Sequence, residues 1–152
     1  MRLTRYTDYS LRVLTYLAVR PDGFGTVQSI AEAYGVSRNH LMKVVQELNR
    51  RGYIDTVRGK GGGMRLRLPP EKINVGRVIR DMESDLALVE CFGPDNRCVI
   101  TPACVLKTIL GDALDAFLAV LERYTLADLV RDPAPLRRLL NVRMVEDRET
   151  IS

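Results

Sequence analysis

The sequence predicts a mainly helical chain with one small β-hairpin and a long helix towards its C-terminus. Three observations carry this. Apolar residues recur at three- and four-residue steps in five separate stretches, the spacing of helices with one buried face. Two short β-prone runs, Tyr53 to Arg58 and Met64 to Leu68, flank Gly59-Lys60-Gly61-Gly62-Gly63, which reads as a hairpin with a flexible, basic tip. A stretch of about twenty residues from Pro102 is more apolar than a surface helix needs to be.

Taken in order, the first helix spans Thr7 to Arg20, with Leu11, Val13, Leu14, Leu17 and Ala18 on its apolar side, and stops at Pro21-Asp22-Gly23. A second runs from Val27 to Tyr34, with Thr26 placed to accept hydrogen bonds from its first turn. Gly35-Val36 breaks it, and Ser37 opens a third helix that reaches Arg51, buries Leu41, Val44, Val45 and Leu48, and ends at Gly52. Pro69-Pro70 closes the hairpin, and Asn74 opens a fourth helix from Val75 to Met82. Residues 85 to 101 lose the period and contain the turn-rich Gly93-Pro94-Asp95-Asn96. The long helix places Val105, Leu106, Ile109, Leu110, Ala113, Leu114, Phe117, Leu118 and Leu121 at helical steps. Its excess apolar face is expected to pack against a second copy of the chain, as a dimerisation helix. Pro133 and Pro135 interrupt the chain beyond Asp132, and residues 132 to 152 are expected to be a disordered tail.

Two short helices, a turn and a hairpin in this order form a winged helix-turn-helix. In that arrangement the second of the two helices enters the major groove of DNA. Ala31 and Gly35, four apart, are expected to let the helices cross closely. Ser37, Arg38, Asn39, His40 and Lys43 then face the base edges; Asn pairs with adenine and Arg with guanine through two hydrogen bonds each. In the wing, Arg58 and Lys60 suit a narrow minor groove, and Arg2, Arg5 and Arg65 suit phosphates. The domain plan is therefore 1–84 for the DNA-binding domain, 85–104 for a cysteine-containing loop, 102–131 for the dimerisation region and 132–152 for the tail.

Charge is divided accordingly. Residues 1 to 80 hold 15 Lys or Arg against 6 Asp or Glu, whereas residues 81 to 152 hold 8 against 13. A basic front half suits a polyanion. With one histidine, no triad pattern and no phosphate-cradling loop before a helix, an enzyme is not expected. No apolar stretch approaches a membrane span, and the N-terminus lacks the apolar core of an export signal, so a cytoplasmic location is expected.

Cys91, Cys98 and Cys104 form C-x6-C-x5-C, and three cysteines cannot all pair within one chain. Structural zinc sites bring cysteines in C-x2-C knuckles. Gaps of six and five suit a loop that wraps something larger, such as an iron–sulfur cluster. On spacing alone a cluster, zinc and unligated thiols all stay open, and so does an electron-transfer protein with no DNA role.

The combination of Met1-Arg-Leu-Thr-Arg-Tyr-Thr-Asp-Tyr-Ser at the front, Ser37-Arg-Asn-His-Leu-Met-Lys in the reading helix, Val57-Arg-Gly-Lys-Gly-Gly-Gly in the wing, and Leu88-Val-Glu-Cys-Phe with Cys98-Val-Ile-Thr-Pro-Ala-Cys resembles the Rrf-type winged-helix regulators to about Tyr124. The last two motifs are most similar to its NsrR-like branch, with the IscR-like branch next. The resemblance implies a homodimeric repressor of palindromic operators, with an iron–sulfur cluster on Cys91, Cys98 and Cys104 that nitric oxide destroys. IscR-like members add a histidine three positions after the third cysteine, where this chain has Lys107. NsrR-like members with a four-iron cluster can use an aspartate near the N-terminus. Asp8 stands in the matching place, so the resemblance implies 4Fe-4S in preference to 2Fe-2S, with Asp8 supplied by the other protomer. Asp8 alternatively serves as a first-turn charge that complements the helix dipole. The alternative function is a winged-helix regulator with a thiol-redox, zinc or iron–sulfur-status switch.

Overall fold

The computed structural model describes residues 1–143. Helix α1 (Arg5–Val19) starts two residues earlier than its apolar pattern suggests, because Thr4 takes the cap position and accepts from Thr7 N. Its buried stripe of Val13, Leu14, Tyr16, Leu17 and Val19 runs through the centre of the main core. Strand β1 (Phe24–Gly25) comes next. Helix α2 (Val27–Tyr34) has the expected bounds, fixed by a reciprocal cap: Ser29 N donates to Thr26 Oγ1 and Thr26 N donates to Ser29 Oγ, each at 3.0 Å.

Helix α3 (Arg38–Arg50) buries the predicted Leu41, Val44, Val45 and Leu48 against α1 and α2. Ser37 occupies its cap position but makes no side-chain cap bond. Gly35 adopts φ +64, and a methyl placed on it would meet nothing within 4 Å. The glycine therefore supplies left-handed backbone, and close helix crossing is not its role.

Strands β2 (Ile54–Val57) and β3 (Gly63–Leu66) pair antiparallel, and β1 adds to the far edge of β3, giving the order β1-β3-β2. The third strand is invisible to periodicity because it is two residues long. The wing tip is also tighter than a flexible loop. Gly62 N donates to Gly59 O, and a Cβ on Gly62 would stand 2.4 Å from Val57 O. At Gly63 it would stand 2.5 Å from Gly25 O, where β1 crosses.

Helix α4 (Val75–Met82) is capped by Asn74 as expected. Helix α5 (Val105–Leu121) begins three residues after Pro102. A 3₁₀ turn over Thr101–Ala103 comes first, and the extended backbone of Cys104 (ψ 106) separates the two. Region 102–131 is thus a turn, α5 and the short α6 (Leu126–Leu129).

The expected tail needs correction. Pro133–Leu139 form helix α7, with Pro133 in its first turn, where a missing N–H costs nothing. Leu140 and Val142 are buried in the main core, and Arg137 Nε donates to Val19 O at 2.7 Å. Burial of these side chains outweighs the interrupting prolines. The rest of the expected tail, 144–152, lies outside the described residues. The boundary at residue 84 likewise divides the chain in sequence but not in packing, since Leu126, Leu140 and Val142 complete the core built by α1 to α3.

The C-terminal end of α5 is joined to α4 by a backbone seam. Val75 N donates to Tyr124 O, Leu126 N to Ile73 O, and Asn74 Nδ2 to Glu122 O at 2.7 Å. A second small core of Val75, Ile79 and Leu118 lies beneath it.

Candidate functional site

Two surfaces carry the residues singled out from the sequence. On the first, Ser37, Arg38, Asn39, His40 and Lys43 are all exposed along the outer face of α3. The hydrophobic stripe of α3 turns inward, so these side chains must turn outward. Arg58 and Lys60 are exposed in the turn between β2 and β3. Met42 and Gln46 share the exposed side of α3 and escaped the sequence reading, although they stand three residues after Asn39 and Lys43 respectively.

Helix α1 buttresses this face. Tyr6 Oη donates to Lys43 O at 3.1 Å, and the rings of Tyr9 and His40 lie 6.4 Å apart. No spacing in the sequence reveals these contacts, because 31 or more residues separate the partners in each pair.

Ion pairing sorts the basic residues. Arg50 and Arg51 both bind Glu47, and Arg51 lies 3.7 Å from Asp81. Hydrogen bonds from Arg50 and then Arg51 pull the Glu47 carboxyl down to about 2, so it remains an anion near the end of α3. Arg67 is paired with Asp55, and Arg20 with Asp22. Among the described residues Arg38, Lys43, Arg58 and Lys60 have no such partner. An unpaired cation is the kind that a phosphate can neutralise without first breaking an internal bond.

Substituting Arg38 by alanine is expected to cost operator binding about 1–3 kcal/mol and to relax base preference at one position. Arg5→Ala, which removes an expected phosphate contact, is expected to weaken binding to all sequences and to lower the salt slope by about 1. Titrations of operator and scrambled duplexes across salt concentrations check both.

The second surface is the loop from Glu90 to Cys104. Its three cysteines are free thiols; Cys98 is exposed, and Cys91 and Cys104 are half-buried. Two 3₁₀ turns, Glu90–Phe92 and Thr101–Ala103, shape it. Among the described residues no three His, Cys, Asp or Glu side chains stand close enough to hold a metal ion. Among the described residues Asp8 thus forms no such group with the cysteines. It lies on α1, 2.9 Å from the Arg12 guanidinium, which also stacks over the Tyr9 and Tyr34 rings. Lys107, three residues after Cys104, is half-buried in the first turn of α5.

One apolar surface remains open. Of α5 only Leu118 is buried, while Val105, Leu106 and Ile109 are 71%, 59% and 56% exposed. Among the described residues no helix is long and apolar enough to cross a membrane.

The sequence profile of the Rrf2 family, described as iron-dependent transcriptional regulators, matches residues 3–132. The HTH-type transcriptional regulator NsrR of Bacillus subtilis is 52% identical over 145 residues, spanning 94% of this chain and 99% of that protein. That of Geobacillus kaustophilus is 50% identical over the same length and the same shares. Among solved structures, IscR of T. potens superposes with a TM-score of 0.69 at 27% identity, covering 87% of this chain and 88% of its own. The oxidized form of Staphylococcus aureus CymR gives 0.67 at 31%, covering 85% and 95%. Both solved structures share the fold described above. The chain belongs to the Rrf2 family of winged-helix transcriptional regulators, and it is no enzyme.

Proposed function

We propose that this chain is a nitric-oxide-responsive repressor that binds a palindromic operator as a homodimer. Cys91, Cys98 and Cys104 of one protomer and the partner's Asp8 would hold an iron–sulfur cluster, of the 4Fe-4S type. The observation that carries the DNA reading is the charge sorting: the cations on α3 and the wing tip are exposed and unpaired among the described residues, while neighbouring arginines are neutralised. The NsrR-type relatives, which match nearly the whole chain, support the signal.

The donor set suits such a cluster. Three free thiols within one surface loop provide soft ligands, and a carboxylate is a harder, more exchangeable fourth. A cluster bound there would supply iron with one labile position open to attack by nitric oxide. The chain's own residues do the rest. Arg38 and Asn39 read base edges, and Arg58 lies along the minor groove. Arg12 holds the Asp8 carboxylate when it is not otherwise engaged. Drawing Asp8 away releases Arg12 from its ion pair beside Tyr9, whose ring faces His40 on the reading helix. A shift of α1 also moves Lys43 through Tyr6. Small rotations of α3 then decide whether two reading helices fit half-sites one helical turn apart. The switch requires the cluster to favour one dimer geometry over the other.

Protein prepared without air is expected to contain iron and sulfide in equal amounts. Its operator affinity is expected to fall by about 5- to 150-fold when iron is removed or nitric oxide is added, the usual range for coupling between two sites. Iron-free protein that binds the operator as tightly as loaded protein overturns the reading. The exposure of Cys98 favours a second reading, a thiol-redox or zinc switch on the same dimer. Zinc, or no metal at all, in the same preparation supports it.

A further inference from the structure

We infer that Asn96, Thr101 and Glu90 are positioning residues that brace the backbone of the thiol loop around its three cysteines. This rests on the reading of Cys91, Cys98 and Cys104 as cluster ligands. Both backbone polar groups of Cys98 are captured by side chains. Cys98 N donates to Asn96 Oδ1 at 2.9 Å, and Thr101 Oγ1 donates to Cys98 O at 2.8 Å. The two captors are themselves joined, with Asn96 Nδ2 donating to Thr101 Oγ1 at 2.8 Å. The ring closes on itself around a single cysteine.

The other two cysteines are tied to the same ring. Arg97 N, just before Cys98, donates to Glu90 Oε1 at 2.6 Å, just before Cys91. Cys104 N donates to Thr101 O at 3.3 Å. Thr101 is therefore the node between Cys98 and Cys104, and Glu90 the link between Cys98 and Cys91. Every one of these bonds is made by the loop's own residues.

The physical value of the brace is entropic. Fixing the backbone of one residue costs about 1–2 kcal/mol, and a slack loop would meet that cost for each residue it orders as it loads. A loop already ordered by its own side chains meets it during folding, which leaves more of the ligation energy for holding iron. Ligands also keep their geometry only when a supporting shell holds them.

The test uses the full chain, reduced and metal-free, with Asn96→Ala, Thr101→Val and the conservative Thr101→Ser. Amide hydrogen exchange across residues 90–104 is read first, followed by the rate of iron and sulfide uptake, followed by absorbance without oxygen. Asn96→Ala and Thr101→Val are expected to exchange faster in the loop and to load about three- to tenfold more slowly, the effect of losing one or two hydrogen bonds. Thr101→Ser keeps the hydroxyl and is expected to restore both. The final spectra are expected to match the parent, since no ligand is changed. Loading of Thr101→Val at the parental rate overturns the positioning role, as does unaltered exchange. Absence of iron uptake by the parent itself instead overturns the ligand reading, and the exchange data then report on the brace alone.

Discussion

Ile109→Asp is expected to yield a folded chain that no longer pairs with itself and that loses about 10²- to 10⁴-fold in operator affinity. Ile109 is 56% exposed, and no part of either core depends on it, so a charge there leaves the single chain's packing intact. In the proposed dimer the same side chain lies in the apolar stripe of α5 with Val105 and Leu106. A carboxylate buried there has no partner to offset its desolvation. The affinity loss is a matter of geometry alone. Two linked reading helices bind as one unit, because the second half-site is met at high effective concentration. A monomer keeps its contacts to one half-site and forfeits that advantage. Sedimentation gives the oligomeric state, circular dichroism the fold, and an operator titration the affinity. A variant that remains dimeric and binds as before shows that α5 pairs elsewhere or not at all.

Gly76→Ala is expected to destabilise the chain by about 1–3 kcal/mol. Helix α4 crosses the end of α5 at this glycine, and an added Cβ would stand 2.4 Å from Glu122 Cγ, 2.7 Å from Glu122 N and 2.9 Å from its Cα. The side-chain atom can swing aside, but the backbone atoms cannot. They are held by the seam between Ile73–Val75 and Glu122–Leu126. The gain of about 1 kcal/mol that alanine brings to a helix interior offsets only part of the cost. Thermal unfolding is expected to shift down by about 2–8 °C. Because the seam fixes α5 to the reading domain, operator affinity of the folded fraction is expected to fall as well. An unchanged midpoint shows that the helices part freely at this crossing.

Much of this protein is legible before folding. The bounds of α2 and α4 are set by Thr26 and Asn74, because a cap acts across three residues of the same chain. The outward face of α3 is dictated by its inward one. The cysteines announce themselves by spacing, though their brace does not: Asn96 and Thr101 read as turn residues until their hydrogen bonds show them closing around Cys98. Strand β1 has no sequence signature, since two residues carry no period and only the edge of β3 makes them a strand. The prolines near 133 mislead for the opposite reason. They mark a boundary truthfully, but a helix can begin at a proline as well as end before one.

The sequence by itself determined the local elements and the inward and outward faces of α3, which depend on neighbours within about four residues along the chain. Tertiary structure alone decided that α7 returns to cover α1 and that the stripe of α5 is left open. Those outcomes join residues as distant as Val19 and Arg137, and no local rule encodes them. They emerge only when burial of the shared core brings distant segments within reach of one another.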